Sequence, residues 1–224
     1  MRPIIISTCF TSMDSLVLES QRQVMKLLAP NVARTQVRID VPHHIAMRAV
    51  LHRAKEMGYD LFLFFDIDAI PVSKYAVPTM IDYASQGYLV GNVQRSNHIN
   101  NGKHVFVAPS CMAFSWDTYV AAGKPRFDET PRSDVAEEFT WALEEKGMGD
   151  KIKFFMPMFY ESSPPECDSW ALADGMPHYG LDTTFGVDDD ELTFHAFYMR
   201  AQGDRIQSFA KKCVQVYEEN EGSI

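Results

Sequence analysis

Residues 59–71 read YDLFLFFDIDAIP, and the fold of the chain turns on how this stretch is understood. Leu61 to Phe65 is a run of five apolar residues with no polar alternation. A strand of that kind has both faces covered, as in a parallel sheet sandwiched between helices. It ends in Asp66-Ile67-Asp68. In extended chain, residues i and i+2 project to one side, so the two carboxylates are expected to converge while Ile67 turns back into the fold. Pro71 helps to terminate the strand.

Working outward, Arg2 to Thr8 is a β-branched run, and Ser12 to Ser15 offers N-caps for an amphipathic segment reaching Leu28. Thr35 to Asp40 predicts a second strand, and His43 to Met57 a second helix closed by Gly58. The order strand, helix, strand, helix, strand predicts an α/β fold with a Rossmann-like, mostly parallel central sheet flanked by helices. Further on, Lys74–Ser85 reads as helix, Tyr88–Val93 as strand and 95–103 as polar loop, after which Val105–Phe114 returns to apolar character. Trp116–Ala122 and Ser133–Lys146 read as helices and Lys151–Met156 as strand. Glu161 to Asp190 is rich in Pro, Asp, Gly and Ser and reads as one long loop, of a length that is usually functional or disordered. Leu192–Met199 and Asp204–Glu219 read as a last strand and a closing helix, and no internal repeat is present.

A chain of 224 residues suits one domain, 1–224, and 46% hydrophobic with 23% charged residues is an ordinary globular composition. The net charge of -9 argues against a nucleic-acid binder that tracks phosphates. Cys9, Cys111, Cys167 and Cys213 show no C-x-x-C spacing, so neither a zinc ribbon nor a disulfide framework is signalled, and a reducing, cytoplasmic setting is expected. No apolar run approaches the roughly 20 residues of a membrane helix, and no transmembrane segment or signal peptide is expected.

Two carboxylates this close raise each other's pKa unless a cation neutralises them, and hard oxygen donors suit Mg²⁺ or Mn²⁺. They stand at the carboxyl end of a strand, where open α/β sheets bind ligands. The same pair also suits capping of a turn before a proline. A haloacid dehalogenase-type phosphatase would continue DxDGT near its first strand, whereas Ala69-Ile70-Pro71 follows here and two strand-helix units precede.

With FDIDAIP placed after two strand-helix units, the chain resembles the GT-A glycosyltransferases, the nucleotide-diphospho-sugar transferase fold, over nearly its whole length. The brevity is similar to that of small viral or bacterial members. The resemblance implies a nucleotide-diphosphate sugar donor, UDP- or GDP-linked, whose diphosphate is bridged to Asp68 by Mn²⁺ or Mg²⁺, with Asp66 nearer the ribose or a metal-bound water. It implies a nucleotide-binding half, 1–95, and a half for a saccharide or glycoconjugate acceptor, 96–224. His195 in LTFHAFYMR stands where the family places a third metal ligand; a satisfied core histidine is the other reading. Thr8, Cys9 and Phe10 in the first βα turn and Asp40 after the second strand are expected near the nucleoside. Arg48 and Arg200 are expected near phosphate, or else as solvated surface arginines. Ser7-Thr8-Cys9-Phe10 replaces the family's frequent Pro-Thr-Tyr-Asn, which leaves the base open.

An inverting transfer needs a carboxylate to take the acceptor proton, and the family carries it at the start of a late helix. Asp134, Glu137 and Glu138 open such a segment, with Asp134 preferred; acids there also complement the helix dipole. The family's ED-x-D form does not align cleanly with them, and a retaining mechanism stays open. Trp141 is expected in the core and Trp170, in the long loop, against the acceptor. Two other functions compete. A nucleotidyltransferase would want a Gly- and Lys/Arg-rich first loop for a triphosphate, which Ser7 to Asp14 lacks. A non-catalytic nucleotide-sugar or metal-binding module would keep Asp68 and His195 while the acids at 134–138 became dispensable.

Overall fold

The computed structural model describes residues 1–199 and 204–222. The first half forms the elements its patterning predicts: β1 (Pro3–Phe10), α1 (Ser15–Leu28), β2 (Ala33–Ile39), α2 (His43–Glu56) and β3 (Leu61–Phe65). A short β4 (Ala69–Pro71), α3 (Ala76–Ser85), β5 (Leu89–Arg95), β6 (Val105–Ser115) and α4 (Trp116–Ala121) follow. The chain continues through α5 (Glu137–Glu145), a 3-10 turn (Gly149–Lys151), β7 (Ile152–Tyr160), β8 (Trp170–Ala171), β9 (His178–Tyr179), β10 (Asp182–Val187), β11 (Asp190–Ala196) and α6 (Asp204–Glu221).

Nine strands form one sheet in the order β2-β1-β3-β6-β5-β7-β10-β11-β4, and β8 and β9 pair separately. Parallel pairing of β1 with β2 and β3, and of β5 with β7, leaves β6, β10 and β4 as the reversed strands. The sheet is therefore mostly parallel in strand direction and α/β in class, as expected. All five residues of β3 are buried, and their alternation explains why. Phe62 and Phe64 pack with Met47 and Leu51 of α2 and Phe139 and Leu143 of α5. Leu61, Leu63 and Phe65 pack on the other face with Met25 of α1 and Val77 and Met80 of α3. Each such side chain contributes about 1.5–3 kcal/mol on burial, so β3 is the most strongly anchored platform available to the residues that follow it.

The sheet curls. β3 is third from one edge and β4 is the far edge, yet only Asp66, Ile67 and Asp68 separate them. Pairing of β4 with β11, with His195 opposite Ala69 and Phe194 opposite Ile70, brings the last strand back to the carboxyl end of β3. A third core cluster, with Ile67, Ile70, Phe194 and residues of α1 and α6, fills the curl.

Several expected bounds change. The helix expected from Ser133 starts at Glu137, because buried Ala136 takes a left-handed φ of 65° and interrupts the turn before it. The expected loop 161–190 holds β8, β9 and the buried strand β10, whose Thr-Thr-Phe-Gly centre carries little apolar signal although it lies inside the sheet. The last strand ends at Ala196, not Met199. Trp141 is not in the core: it is half-buried, stacked on His104 at 3.8 Å with the Arg132 guanidinium 5.1 Å from its ring. Among the described residues, no helix is long and apolar enough to cross a membrane.

Candidate active site

The site begins with a turn. β3 stops at Phe65, and the Ala69 N–H donates to Asp66 O at 2.9 Å, closing a tight reversal over residues 66–68. Asp66 and Asp68 thus converge through a turn and not through the i, i+2 alternation of a strand, while Ile67 is buried as expected. Three neighbours hold the turn: Asp66 N–H donates to Ser110 O (3.0 Å), Ala196 N–H to Asp68 O (3.0 Å), and Gln21 Nε2 to both Asp66 O (2.6 Å) and Ala69 O (2.9 Å). Gln21 is fully buried and sits in the otherwise mainly apolar stripe of α1, with Val17, Leu18, Val24, Met25 and Leu28. A polar side chain inside an apolar stripe is the sequence signal that marks it.

Asp66, Asp68 and His195 each present a ligand atom within 4.8 Å of the other two. His195 Nε2 lies 3.5 Å from Asp68 Oδ1, beyond good hydrogen-bond length, and its Nδ1 is buried with no partner among the described residues. The ring is buried, its centroid 4.0 Å from that of Phe197, with neither nitrogen in a good hydrogen bond among the described residues. Two carboxylate oxygens and one imidazole nitrogen form a donor set that fits Mn²⁺ and, less selectively, Mg²⁺. His43, the first residue of α2, adds a second imidazole, with Nε2 3.3 Å from Asp66 Oδ1. The His-His pair directly after Pro42 was its only sequence signal.

Two cavities meet at this cluster, and a third shares a wall with one of them. The first, about 120 Å³, is lined by Thr8, Cys9, Phe10, Met13, Ile39, His43 and the turn 66–68. The second, about 200 Å³, shares His43 and Asp66 with it and adds His195, Gln94, Phe106, Ser110 and Asp134 among its walls. The third, about 680 Å³, shares Gln94, Asp134 and Phe197 with the second and extends to Trp170, Tyr179 and Tyr198. Burial pushes the Cys9 thiol above its ordinary 9.0, against the opposing charge of Arg38, so it stands in the first cavity as a neutral thiol. Burial likewise pushes the Tyr179 phenol up to about 12, and its hydroxyl donates to Arg95 O at 2.9 Å.

The remaining sequence candidates separate. Asp40 is exposed, accepts a hydrogen bond from the Thr11 hydroxyl, and stands beside the first cavity, next to Ile39. Arg48 is exposed on α2 and lines none of the three cavities. Arg200 lies outside the described residues. Asp134 lines the second and third cavities; its Oδ2 accepts from Ser96 Oγ (2.7 Å) and its Oδ1 from Val135 N–H (2.7 Å). Glu137 is fully buried and its carboxylate is engaged by Asp134 N–H (2.7 Å), Asn101 Nδ2 (2.7 Å) and His104 Nδ1 (2.6 Å). Glu137 thus reaches back three residues to a backbone N–H and ties the segment before α5 to the first residue of the helix. Glu138 faces away, toward Arg132 (2.7 Å), which holds its carboxyl below the usual range. Trp170 is half-buried in the wall of the third cavity.

No protein-family model and no curated protein matches the chain. Solved structures similar to it include a glycosyltransferase involved in the glycosylation of the major capsid of PBCV-1, at 10% identity and a TM-score of 0.45, covering 69% of this chain and 81% of that one. Another is the 4-diphosphocytidyl-2C-methyl-D-erythritolsynthase from Anaerococcus prevotii, at 13% identity and 0.47, covering 68% and 86%. A cytidylyltransferase from Leptospira borgpetersenii is similar at 13% identity and 0.42, covering 99% and 94%.

Proposed function

We propose that the protein is a metal-dependent glycosyltransferase of the GT-A type, moving a sugar from a nucleotide-diphosphate donor to a hydroxyl of a saccharide or glycoconjugate acceptor. The observation that carries this reading is a row of cavities with shared walls: a small one at the ends of β1 and β2, the cluster Asp66, Asp68 and His195 beside it, and a large aromatic one beyond, with Asp134 between.

Asp66, Asp68 and His195 would hold Mn²⁺ or Mg²⁺, which when bound offsets the charge that builds on a departing nucleoside diphosphate. Thr8, Cys9 and Phe10 bound the space for the nucleoside, with Asp40 at its margin. Asp134 is the carboxylate that faces the acceptor side, and in this reading it accepts the proton of the attacking hydroxyl. Glu137 fixes the Asp134 backbone, and Glu138, paired with Arg132, takes no part in the proton transfer. The role of the surrounding walls is to hold hydroxyl and anomeric carbon in line, which lowers the barrier by removing orientational freedom beforehand.

The test is incubation with Mn²⁺ and a panel of UDP- and GDP-sugars, reading released nucleoside diphosphate for wild type and Asp68→Ala. Release by wild type and its loss in the variant supports the proposal. Pyrophosphate release from nucleoside triphosphates, with no turnover of sugar donors, would assign nucleotidyl transfer in its place.

A further inference from the structure

We propose that the 680 Å³ cavity takes a saccharide bearing an anionic group, carboxylate or phosphate, and that Arg95 selects for it; calling this saccharide the acceptor rests on the glycosyltransferase reading. Trp170, Tyr179, Phe197 and Tyr198 form one wall, with ring centroids 5.3–5.8 Å apart. Tyr198 is 48% exposed and holds a φ of 56°. A bulky residue in the left-handed region is an outlier of the kind that clusters at ligand sites. Such a surface offers ring faces against which the C–H face of a pyranose packs.

Arg95, at the end of β5, lines the same cavity and has an unmet requirement. Its Nη1 makes one long bond, 3.4 Å to Ala171 O, and its buried Nε has no partner. Among the described residues no carboxylate lies within ion-pair distance of it, whereas the buried Arg205 meets both oxygens of Asp182. The nearby acids are otherwise engaged: Asp134 by Ser96 and Val135, and Asp174 by Lys103 at 2.7 Å, with Arg95 acting on it only at longer range. Glu166 is exposed on the rim. A half-buried guanidinium without an anion is costly, and its planar fork matches a carboxylate or phosphate brought by a ligand. Arg95 lines neither of the smaller cavities at Asp66, so the anion it waits for belongs to the large cavity and not to a donor diphosphate.

The test measures binding by saturation-transfer NMR without donor, so that it stands apart from any transfer assay. Methyl glucuronoside and glucose 6-phosphate are compared with neutral methyl glucoside on wild type, Arg95→Gln and Arg95→Lys. At least one anionic sugar is expected to bind about tenfold more tightly than the neutral one, with the preference abolished in Arg95→Gln and reduced in Arg95→Lys. Which of the two is favoured tells carboxylate from phosphate. UDP with Mn²⁺ is expected to bind all folded variants equally. Equal binding of neutral and anionic sugars, a preference that survives Arg95→Gln, or weaker UDP binding by that variant would each overturn the assignment. If Arg95→Gln does not fold, Arg95→Lys decides: a preference as large as wild type overturns it.

Discussion

His195 Nε2 lies 3.5 Å from Asp68 Oδ1 because β11 and β4 pair in the register that sets His195 opposite Ala69. The contact is made by sheet pairing, so the histidine is delivered to the acids by backbone and does not depend on them for its place. His195→Ala is therefore expected to lower Mn²⁺ affinity by about tenfold or more, and, because the ring is buried with its centroid 4.0 Å from that of Phe197, also to cost some stability. Calorimetric Mn²⁺ titration alongside urea unfolding checks both halves. Unchanged affinity with a large fall in stability would return His195 to the core.

Gln21, from α1, bonds both ends of the turn 66–68. Gln21→Leu keeps the volume but removes one bond from each of two carbonyls, Asp66 O, which retains the Ala69 N–H, and the buried Ala69 O, at about 1–3 kcal/mol in all. Urea unfolding is expected to show that loss, and Mn²⁺ affinity to fall with it, although Gln21 offers no ligand atom to the cluster.

Asp134 and Glu138 lie four residues apart and are expected to behave differently. Asp134→Asn should lower kcat about 10²–10⁴-fold with substrate binding retained, the usual contribution of a positioned acid or base. Glu138→Gln should leave kcat near wild type, because its carboxylate faces Arg132 and a separate surface hollow. Steady-state kinetics on both variants reads the difference; equal losses would remove Asp134 from its assigned role.

Gly91 sits in β5 at φ 156°, where a Cβ would fall 2.0 Å from Cys111 O of β6. The clash is with backbone in the centre of the sheet, so Gly91→Ala should cost about 1–3 kcal/mol or more, measured by thermal or urea unfolding.

The half of the fold that was legible from sequence is the half built from long, periodic elements. Leu61–Phe65 announces a doubly covered strand, and Val17 to Leu28 a helix with one apolar stripe. β4 and β10 were not legible: β4 is three residues long, and Asp182–Val187 is buried by its place in the sheet, not by apolar composition. The acids of the Asp66, Asp68 and His195 group were visible because D-x-D ends an apolar run. Arg95, Tyr198 and His43 were not, because their meaning comes from what stands opposite them across the curl of the sheet. Asp134 and Glu137 were visible as acids, but their different surroundings, a cavity wall for one and full burial for the other, are set around the left-handed Ala136 between them, which no local pattern signals.

Arg132 ties Glu138 to Glu145 across the outer face of α5, with bonds of 2.7 Å and 2.6 Å, and the guanidinium holds the Glu138 carboxyl below its ordinary 4.5. A carboxyl whose folded pKa is depressed keeps its charge in the folded state at a pH where the unfolded chain has already taken up a proton. Its contribution is thus fully present above 4.5 and is lost as pH falls through the depressed value. Arg132 is about half exposed, so solvent screening limits the pair to about 0.5–1 kcal/mol. Glu138→Gln is expected to be less stable than wild type by that amount at pH 7, with the gap closing in acid. Urea unfolding of both proteins from neutral pH downward measures it. A gap that widened with acid would mean that the carboxyl is destabilised in its folded charge state, contrary to the pairing with Arg132.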